Sequence, residues 1–163
     1  MSVKRILIVG IGSAHGDDRI GWLVADRLVA MVESENVEVR HAKSPIDLLD
    51  WLAGVERLVI CDACRGLGRV GEMRRWEWPT TELSAIGLSG THGLSVPTVL
   101  KLADRLGRLP EVVVVWAIEG AGRGTSGLLS TELTQALPEL VSQIVGELNE
   151  PPLLETNTCT NSR

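Results

Sequence analysis

The sequence predicts an α/β fold: a three-layer α/β/α sandwich built on a mostly parallel, five-stranded twisted sheet with one antiparallel edge strand. Short runs rich in Val and Ile alternate along the chain with segments whose apolar residues repeat at helical spacing. Strands that alternate with helices pair in parallel, because each helix carries the chain back across a face of the sheet. One further run is only weakly amphipathic, which is typical of an edge strand.

Five segments are predicted strands. Residues 4–10 (KRILIVG) and 57–62 (RLVICD) are continuous apolar runs, as expected for strands that are buried on both faces of a parallel sheet. Residues 72–78 place Arg and Trp on one face and form the predicted edge strand. The remaining two predicted strands are residues 37–41 and 111–118.

Four segments are predicted helices, and for two of them the first residue, Ser44 or Ser95, is a predicted N-cap. Ser44 is followed by a proline at the first helical position, and Ser95 precedes an apolar face that ends at a glycine. Pro138 conflicts with the interior of the last helix, so we expect a kink or a later start there. The predicted helices are residues 19–33, a short helix from 44, residues 95–107 and residues 130–148.

The length and hydropathy predict one domain without a membrane span. A chain of 163 residues fits a single domain. No apolar run approaches the roughly 20 residues that a membrane-spanning helix needs. The first apolar run meets Asp17 and Asp18 without a small-residue cleavage site, which argues against a secretion signal. We therefore expect residues 1–148 to form one cytoplasmic α/β domain and residues 149–163 to be a disordered tail.

Charge and cysteine content exclude two other classes of protein. The net charge is −5 and the arginines are scattered, so the chain lacks the basic stripe of a nucleic-acid-binding protein. Three cysteines, an odd number, argue against a disulfide framework. Cys61 and Cys64 have C-x-x-C spacing, but no second pair completes a zinc ribbon. Because Cys61 falls inside a predicted strand, we interpret both thiols as structural.

Several side chains that can bind a metal lie close together, where the predicted strands end. Asp17 and Asp18 follow the first strand, Asp62 ends the third, and His92 lies between glycines in a later loop. Ligands of open α/β sheets bind beyond the carboxyl ends of the strands. Carboxylate and imidazole donors together suit Ni, Zn, Co or Mn. Two structural readings stay open: helix capping by the acidic pair, and a buried Asp62 that accepts backbone N–H bonds.

A nucleotide site is an alternative for the Gly10-x-Gly12 that follows the first strand. The dinucleotide fingerprint requires a third glycine where this chain has His15, and an acidic residue where it has Arg40 and His41. The adjacent acidic pair would also repel a pyrophosphate at the helix N-terminus. These departures disfavour a Rossmann-type nucleotide-binding module.

Four segments, in this order, resemble the hydrogenase maturation proteases, the endopeptidases that trim the C-terminus of nickel–iron hydrogenase large subunits. The segments are residues 6–21 (ILIVGIGSAHGDDRIG), 58–63 (LVICDA), 90–94 (GTHGL) and 112–120 (VVVVWAIEG). The resemblance implies that Asp18, Asp62 and His92 surround a metal. It also implies that this metal is the nickel already installed in the substrate protein. Ser13 and Arg19 depart from the Asn and Gly that the family usually has there.

The function that the resemblance implies is metal-dependent cleavage of one client, the nickel-loaded precursor of a hydrogenase large subunit, by a monomeric enzyme. Asp17, Asp18, Asp62 and His92 form the predicted catalytic set, in which Asp17 could serve as the general base. The alternative within the same resemblance is a non-catalytic checkpoint or chaperone that binds the nickel-loaded precursor without cutting it. The sequence does not separate these two functions.

Overall fold

Six strands form one sheet in the computed structural model, which describes residues 3–88, 93–122 and 127–150. The sheet order is β2-β1-β3-β6-β4, and the short β5 pairs with β3 beyond the end of β1. The four strands β1, β2, β3 and β6 are parallel, whereas β4 is antiparallel to β6 and β5 is antiparallel to β3. The strands are β1 (Ile6–Ile11), β2 (Val37–Ala42), β3 (Arg57–Arg65), β4 (Met73–Glu77), β5 (Gly87–Leu88) and β6 (Val112–Glu119).

Helices cover both faces of this sheet and complete the three predicted layers. One face packs α1 and α3 against alternate strand residues such as Ile8, Val59 and Val114. The other face packs α2 and a 3-10 helix against the intervening residues, such as Leu7 and Leu58. The α-helices are α1 (Ile20–Met31), α2 (Val96–Arg105) and α3 (Thr131–Asn149), and 3-10 helices span Gly16–Arg19, Pro45–Asp50 and Glu82–Ala85.

The predicted fold class and the antiparallel edge strand are confirmed, with differences in detail. The short β5 is an additional strand, and the helix predicted from Ser44 is a 3-10 helix whose capping box joins Ser44 and Asp47. α3 begins at Thr131 and runs through Pro138, so of the two expected alternatives the later start is wrong and the kink stays a prediction. Because Pro138 faces solvent, water can hydrate the Thr134 carbonyl that loses its helical partner.

Among the described residues, no helix is long and apolar enough to cross a membrane. The helix α3 ends at Asn149, close to the predicted domain boundary, and Glu150 is the last described residue. The prediction of a disordered tail therefore falls almost entirely on residues 151–163, which lie outside the described ranges.

The strand order reverses between β1 and β3, and this reversal marks the position of a site. From β1 the chain moves outward to β2 and then crosses to β3 on the other side of β1. The pairing of β1 with β3 ends at Gly10 opposite Cys61. Asp62 is therefore the first residue of β3 beyond that pairing, and it does not end the strand as predicted, because β3 continues beside β6 and β5 to Arg65. Crevices at such a reversal bind ligands in open α/β sheets.

Candidate active site at the carboxyl edge of the sheet

Glycines let the loop after β1 pack its backbone directly onto the sheet. A Cβ atom at Gly10 would lie 1.9 Å from the carbonyl oxygen of Gly21, and one at Gly21 would lie 2.9 Å from the carbonyl oxygen of Cys61 in β3. A Cβ atom at Gly12 would lie 2.2 Å from the carbonyl oxygen of Asp18. The Gly-x-Gly pattern thus allows two backbone segments to approach β1 and β3 closely. One is the loop of residues 12–19, called the acidic loop below because it contains Asp17 and Asp18, and the other is the start of α1.

Asp18 lies in the 3-10 helix Gly16–Arg19, which contacts β3. Its backbone is fixed at both polar groups: the Asp18 N–H donates to the His15 carbonyl at 3.2 Å, and the Asp18 carbonyl accepts the Ser13 N–H at 3.1 Å. The residue is half-buried, and no side chain or backbone group in the described part of the chain donates a hydrogen bond to its carboxylate. Asp18 therefore presents a carboxylate on a rigid backbone.

Asp17 differs from Asp18 in its burial and in the hydrogen bonds of its carboxylate. It is 4% exposed, and each carboxylate oxygen accepts a backbone N–H: Oδ2 from Ala121 at 2.6 Å and Oδ1 from Ser130 at 2.6 Å. Charge-assisted hydrogen bonds of this kind are among the stronger ones in proteins. The sequence could not distinguish the two aspartates, because the partners of Asp17 lie in the segment between β6 and α3.

Asp62 is fully buried in β3, in register with Ala117 of β6. Burial and then the Asp62 carboxylate raise the pKa of the adjacent Cys61 thiol. Cys61 and Cys64 are both buried free thiols, in agreement with the structural role predicted for them. The 3-10 helix that carries Asp18 contacts the same strand as Asp62, so the structure brings the two predicted acidic ligands to one edge.

Glu119 is a third buried acid at this edge, after Asp17 and Asp62, and no role was predicted for it. It ends β6, is 8% exposed, and accepts the backbone N–H groups of Gly66 at 3.1 Å and Leu67 at 2.8 Å. The Cys64 thiol also donates to Glu119 at 3.6 Å. The carboxylate holds the turn after β3 beside the end of β6. An isolated acid at the end of an apolar run was the available signal, as it was for Asp62.

The prediction that His92 completes the site falls on residues 89–92, which lie outside the described ranges. The described residues on either side are both at the carboxyl edge: Leu88 pairs with Cys64, and a Cβ atom at Gly93 would lie 3.6 Å from Ser44 Oγ, just after β2. Within the described ranges, no group of three His, Cys, Asp or Glu side chains could hold a metal ion. The complete ligand set stays a prediction.

The other two histidines lie apart from one another. His15 is exposed in the acidic loop, where its backbone N–H donates to Ser13 Oγ at 3.3 Å. His41 is exposed on β2, where Nε2 lies 2.8 Å from Asp26 Oδ1 and the ring packs edge-on against Trp22. His41 therefore lies on the surface of the outermost strand.

Comparison with known proteins identifies the family. The family model described as HycI, hydrogenase maturation protease, matches residues 23–147, a match that begins after the acidic pair. A comparison with curated protein sequences gave no match. Among solved structures, the [NiFe] hydrogenase maturation protease HycI from Thermococcus kodakarensis KOD1 is similar, with a TM-score of 0.71 and 25% identity over 90% of this chain and 94% of that one.

Two Escherichia coli structures share the same fold. The solution structure of an endopeptidase has a TM-score of 0.74 at 20% identity, covering 88% of this chain and 91% of that one. The hydrogenase maturating endopeptidase HybD has a TM-score of 0.70 at 20% identity, with the same two coverages of 88% and 91%. With the family model spanning most of its length, the chain belongs to the hydrogenase maturation protease family and is a hydrolase of the peptidase class.

Proposed function

We propose that this chain removes a C-terminal peptide from the nickel-loaded precursor of a nickel–iron hydrogenase large subunit, and that it recognises the nickel carried by that substrate. Asp18, Asp62 and His92 are the proposed ligands. The observation that carries the proposal is the rigid placement of Asp18 against β3, which contains the buried Asp62, at the strand-order reversal. The family to which the chain belongs supports the same reaction.

The donor set suits a metal that arrives already bound to the client. Two carboxylates and one imidazole are oxygen and nitrogen donors of the kind that nickel accepts. Three protein ligands leave coordination positions for groups from the precursor, so the free enzyme should bind a free ion weakly. The chain from Leu88 to Gly93, which contains His92, joins two points of the carboxyl edge where Asp62 and Asp18 lie.

The proposed reaction is hydrolysis of one peptide bond next to the substrate's metal. The ligands hold the nickel so that it positions or polarises the scissile carbonyl, water adds to the carbonyl carbon, and the C–N bond breaks as the leaving amine takes a proton. Specificity then requires both the metal and the surrounding client surface. The proposal includes a monomeric enzyme in the cytoplasm, and sedimentation of the purified chain tests its oligomeric state.

The direct test offers the enzyme three proteins in parallel and measures their intact masses. These are the nickel-loaded precursor, the same precursor without metal, and casein. We expect loss of a C-terminal peptide only from the nickel-loaded precursor. Cleavage of casein, or equal cleavage of both precursors, would show that nickel is not what the enzyme recognises. A stable complex without any mass loss would favour the checkpoint function instead.

Ligand substitutions sharpen this test, and the chain offers a matched control for each. Asp62→Ala and His92→Ala should abolish cleavage while the protein stays folded, because each removes a ligating group rather than an apolar side chain. Asp104→Ala and His41→Ala are the controls, since Asp104 is exposed on α2 and His41 is exposed on the outermost strand β2, where it pairs with Asp26. Circular dichroism of all four variants separates lost chemistry from lost structure. Unfolding of Asp62→Ala would identify that carboxylate as a structural acceptor.

A further inference from the structure

One carboxylate closes both ends of the segment that joins β6 to α3. Asp17 accepts the N–H of Ala121, which begins this segment, and the N–H of Ser130, which ends it, both at 2.6 Å. The neighbouring Gly16 N–H donates to the Gly127 carbonyl at 3.2 Å. The acidic loop is therefore joined to Ala121, Gly127 and Ser130, and two of these three bonds are made by Asp17, the neighbour of Asp18.

The surroundings of Asp17 fit a bridge better than a general base. A general base must come within hydrogen-bond reach of the water from which it takes a proton. Asp17 is 4% exposed, its two oxygens each accept a short backbone hydrogen bond, and a Cβ atom at Gly120 would lie only 3.2 Å from Asp17 Cβ. The carboxylate thus faces backbone amides in a space with little room for water.

We propose that Asp17 is a positioning residue: it holds residues 121–122 and 127–130 against the acidic loop, where these residues form one wall of the surface that binds the client polypeptide. The inference rests on the proposed function, because it names the surface next to the proposed nickel site that the precursor contacts. The occupant is the precursor segment around the scissile bond, since the wall begins directly after β6 at the same edge as Asp18 and Asp62.

Backbone amide exchange in the isolated chain tests the bridge without any client. In Asp17→Asn, the side-chain amide can accept one of the two N–H groups but meets the other with a donor. Ser130→Pro removes one N–H and leaves Asp17 intact, and the Ser130 backbone, with φ of −61° and ψ of 155°, already has a conformation that proline adopts. Both variants should speed exchange at Ala121 by about tenfold or more, as expected for a loss of roughly 1.4 kcal/mol.

Ser130→Ala is the matched variant for the proline substitution. Both lose the hydroxyl that caps α3 by accepting the Leu133 N–H, but only the alanine variant keeps the backbone N–H that Asp17 binds. The difference between the two Ser130 variants therefore isolates the bridge from the helix cap. Equal exchange at Ala121 in wild type, Asp17→Asn and Ser130→Pro would overturn the proposal.

Steady-state cleavage of the nickel-loaded precursor tests what the bridge is for. A positioning role predicts that Asp17→Asn and Ser130→Pro raise KM by about tenfold with kcat changed less than about twofold, since loss of uniform binding raises KM alone. Loss of kcat at constant KM would assign Asp17 to the chemical step and overturn the proposal.

A side chain on the wall gives a second probe. Leu128 is 67% exposed, so Leu128→Ser should raise KM without lowering stability. Leu106→Ser, at the C-cap of α2 and the opposite edge of the sheet, is 50% exposed and should leave KM unchanged. Equal KM values for the two variants would show that the wall does not contact the client. If wild type cuts no precursor at all, the proposed function fails, whereas amide exchange still decides whether the bridge exists.

Discussion

Carboxylates withdrawn from solvent are stabilised differently on the α3 face of the sheet, where Glu147 is half-buried, and at the carboxyl edge, where the acids are buried. On the α3 face, Glu147 accepts hydrogen bonds from two arginines and an indole: Arg75 at 2.6 Å, Arg57 at 2.9 Å and Trp116 Nε1 at 3.0 Å. Its charge is offset by two guanidinium groups. The result is a cross-link that joins α3 to β3, β4 and β6.

The carboxyl edge has acids whose partners are mostly backbone amides. Asp17 and Glu119 each accept two N–H bonds, and within the described ranges neither takes part in an ion pair. Backbone amides solvate a carboxylate without adding a formal positive charge. These two charges therefore remain beside Asp18 and Asp62. The carboxyl edge consequently suits a cationic centre, whereas the α3 face, where two guanidinium groups already offset Glu147, does not.

The largest loss of stability should come from replacing Glu119, whose carboxylate accepts backbone N–H groups, by glutamine. In Glu119→Gln, one side-chain oxygen remains for the N–H groups of Gly66 and Leu67, and the new NH₂ group faces a donor. We expect unfolding free energy to fall by about 2–4 kcal/mol, the range for lost charge-assisted bonds and a buried donor left unpaired. Urea denaturation measures this loss, which should depend little on salt. A loss that disappears in 1 M salt, where the Debye length is about 3 Å, would mean that Glu119 acts through longer-range charge.

The same substitution at Glu147 should cost less. Glu147→Gln keeps an oxygen acceptor for the two arginines and loses the charge, so we expect a fall of about 1–2 kcal/mol in unfolding free energy. The arginines are partly exposed, which predicts a smaller difference from wild type at high salt. Parallel urea titrations at low and high salt provide the measurement. A cost above that of Glu119→Gln would reverse the comparison.

The pH dependence of stability separates the two regions further. Burial raises the pKa of Glu147, but hydrogen bonds and charge from Arg75, with Trp116 and Arg57, outweigh it and lower the pKa below the ordinary carboxyl value. The stabilisation is therefore complete above the ordinary value, about 4.3, and is lost as the pH falls through the lower folded value. The difference in unfolding free energy between wild type and Glu147→Gln should shrink in that acid range. If this difference in unfolding free energy stays constant down to pH 3, the predicted role of the Glu147 charge is wrong.

The smallest expected effect concerns the two thiols between these acids. Burial, followed by the Glu119 and Asp62 charges, raises the pKa of Cys64 to about 12, and burial raises that of Cys61 as well. Few thiolates then exist at neutral pH, so neither thiol should react with iodoacetamide in the native protein. Mass spectrometry of a Cys159→Ser variant, native and urea-unfolded, makes the measurement. Rapid native alkylation of Cys64 would show that the edge opens.

Much of the fold could be predicted because its signals are local. The apolar runs of β1, β3 and β6 and the helical spacing of α1 and α2 are properties of neighbouring residues. The two-residue β5 has too little sequence to show a pattern. Pro138 led to a wrong expected start of α3, because helix propensity does not show which side of the helix faces water. On that side, the loss of the backbone hydrogen bond that proline cannot donate costs less.

The location of the candidate site could be predicted from the sequence, but the separate roles of its acidic residues could not. Acids that follow apolar strands indicated the carboxyl edge, and the structure brings the loop of Asp18 to the strand of Asp62. The roles of Asp17 and Glu119 depend on amides that are 52 to 113 positions away in the sequence. No local pattern carries that information, because every residue other than proline supplies a backbone N–H.

The bonds of Asp17 also bear on how the protein is made. Its two acceptor oxygens meet donors that lie 104 and 113 residues further along the chain. During synthesis the acidic loop emerges long before those donors, and contacts of such sequence separation form late because the intervening chain must first be ordered. A nascent or truncated chain that stops before Ala121 therefore has the acidic pair but neither backbone donor of the Asp17 carboxylate. Both hydrogen bonds of Asp17 can form only after Ser130 has left the ribosome, so this part of the carboxyl edge is ordered late in synthesis.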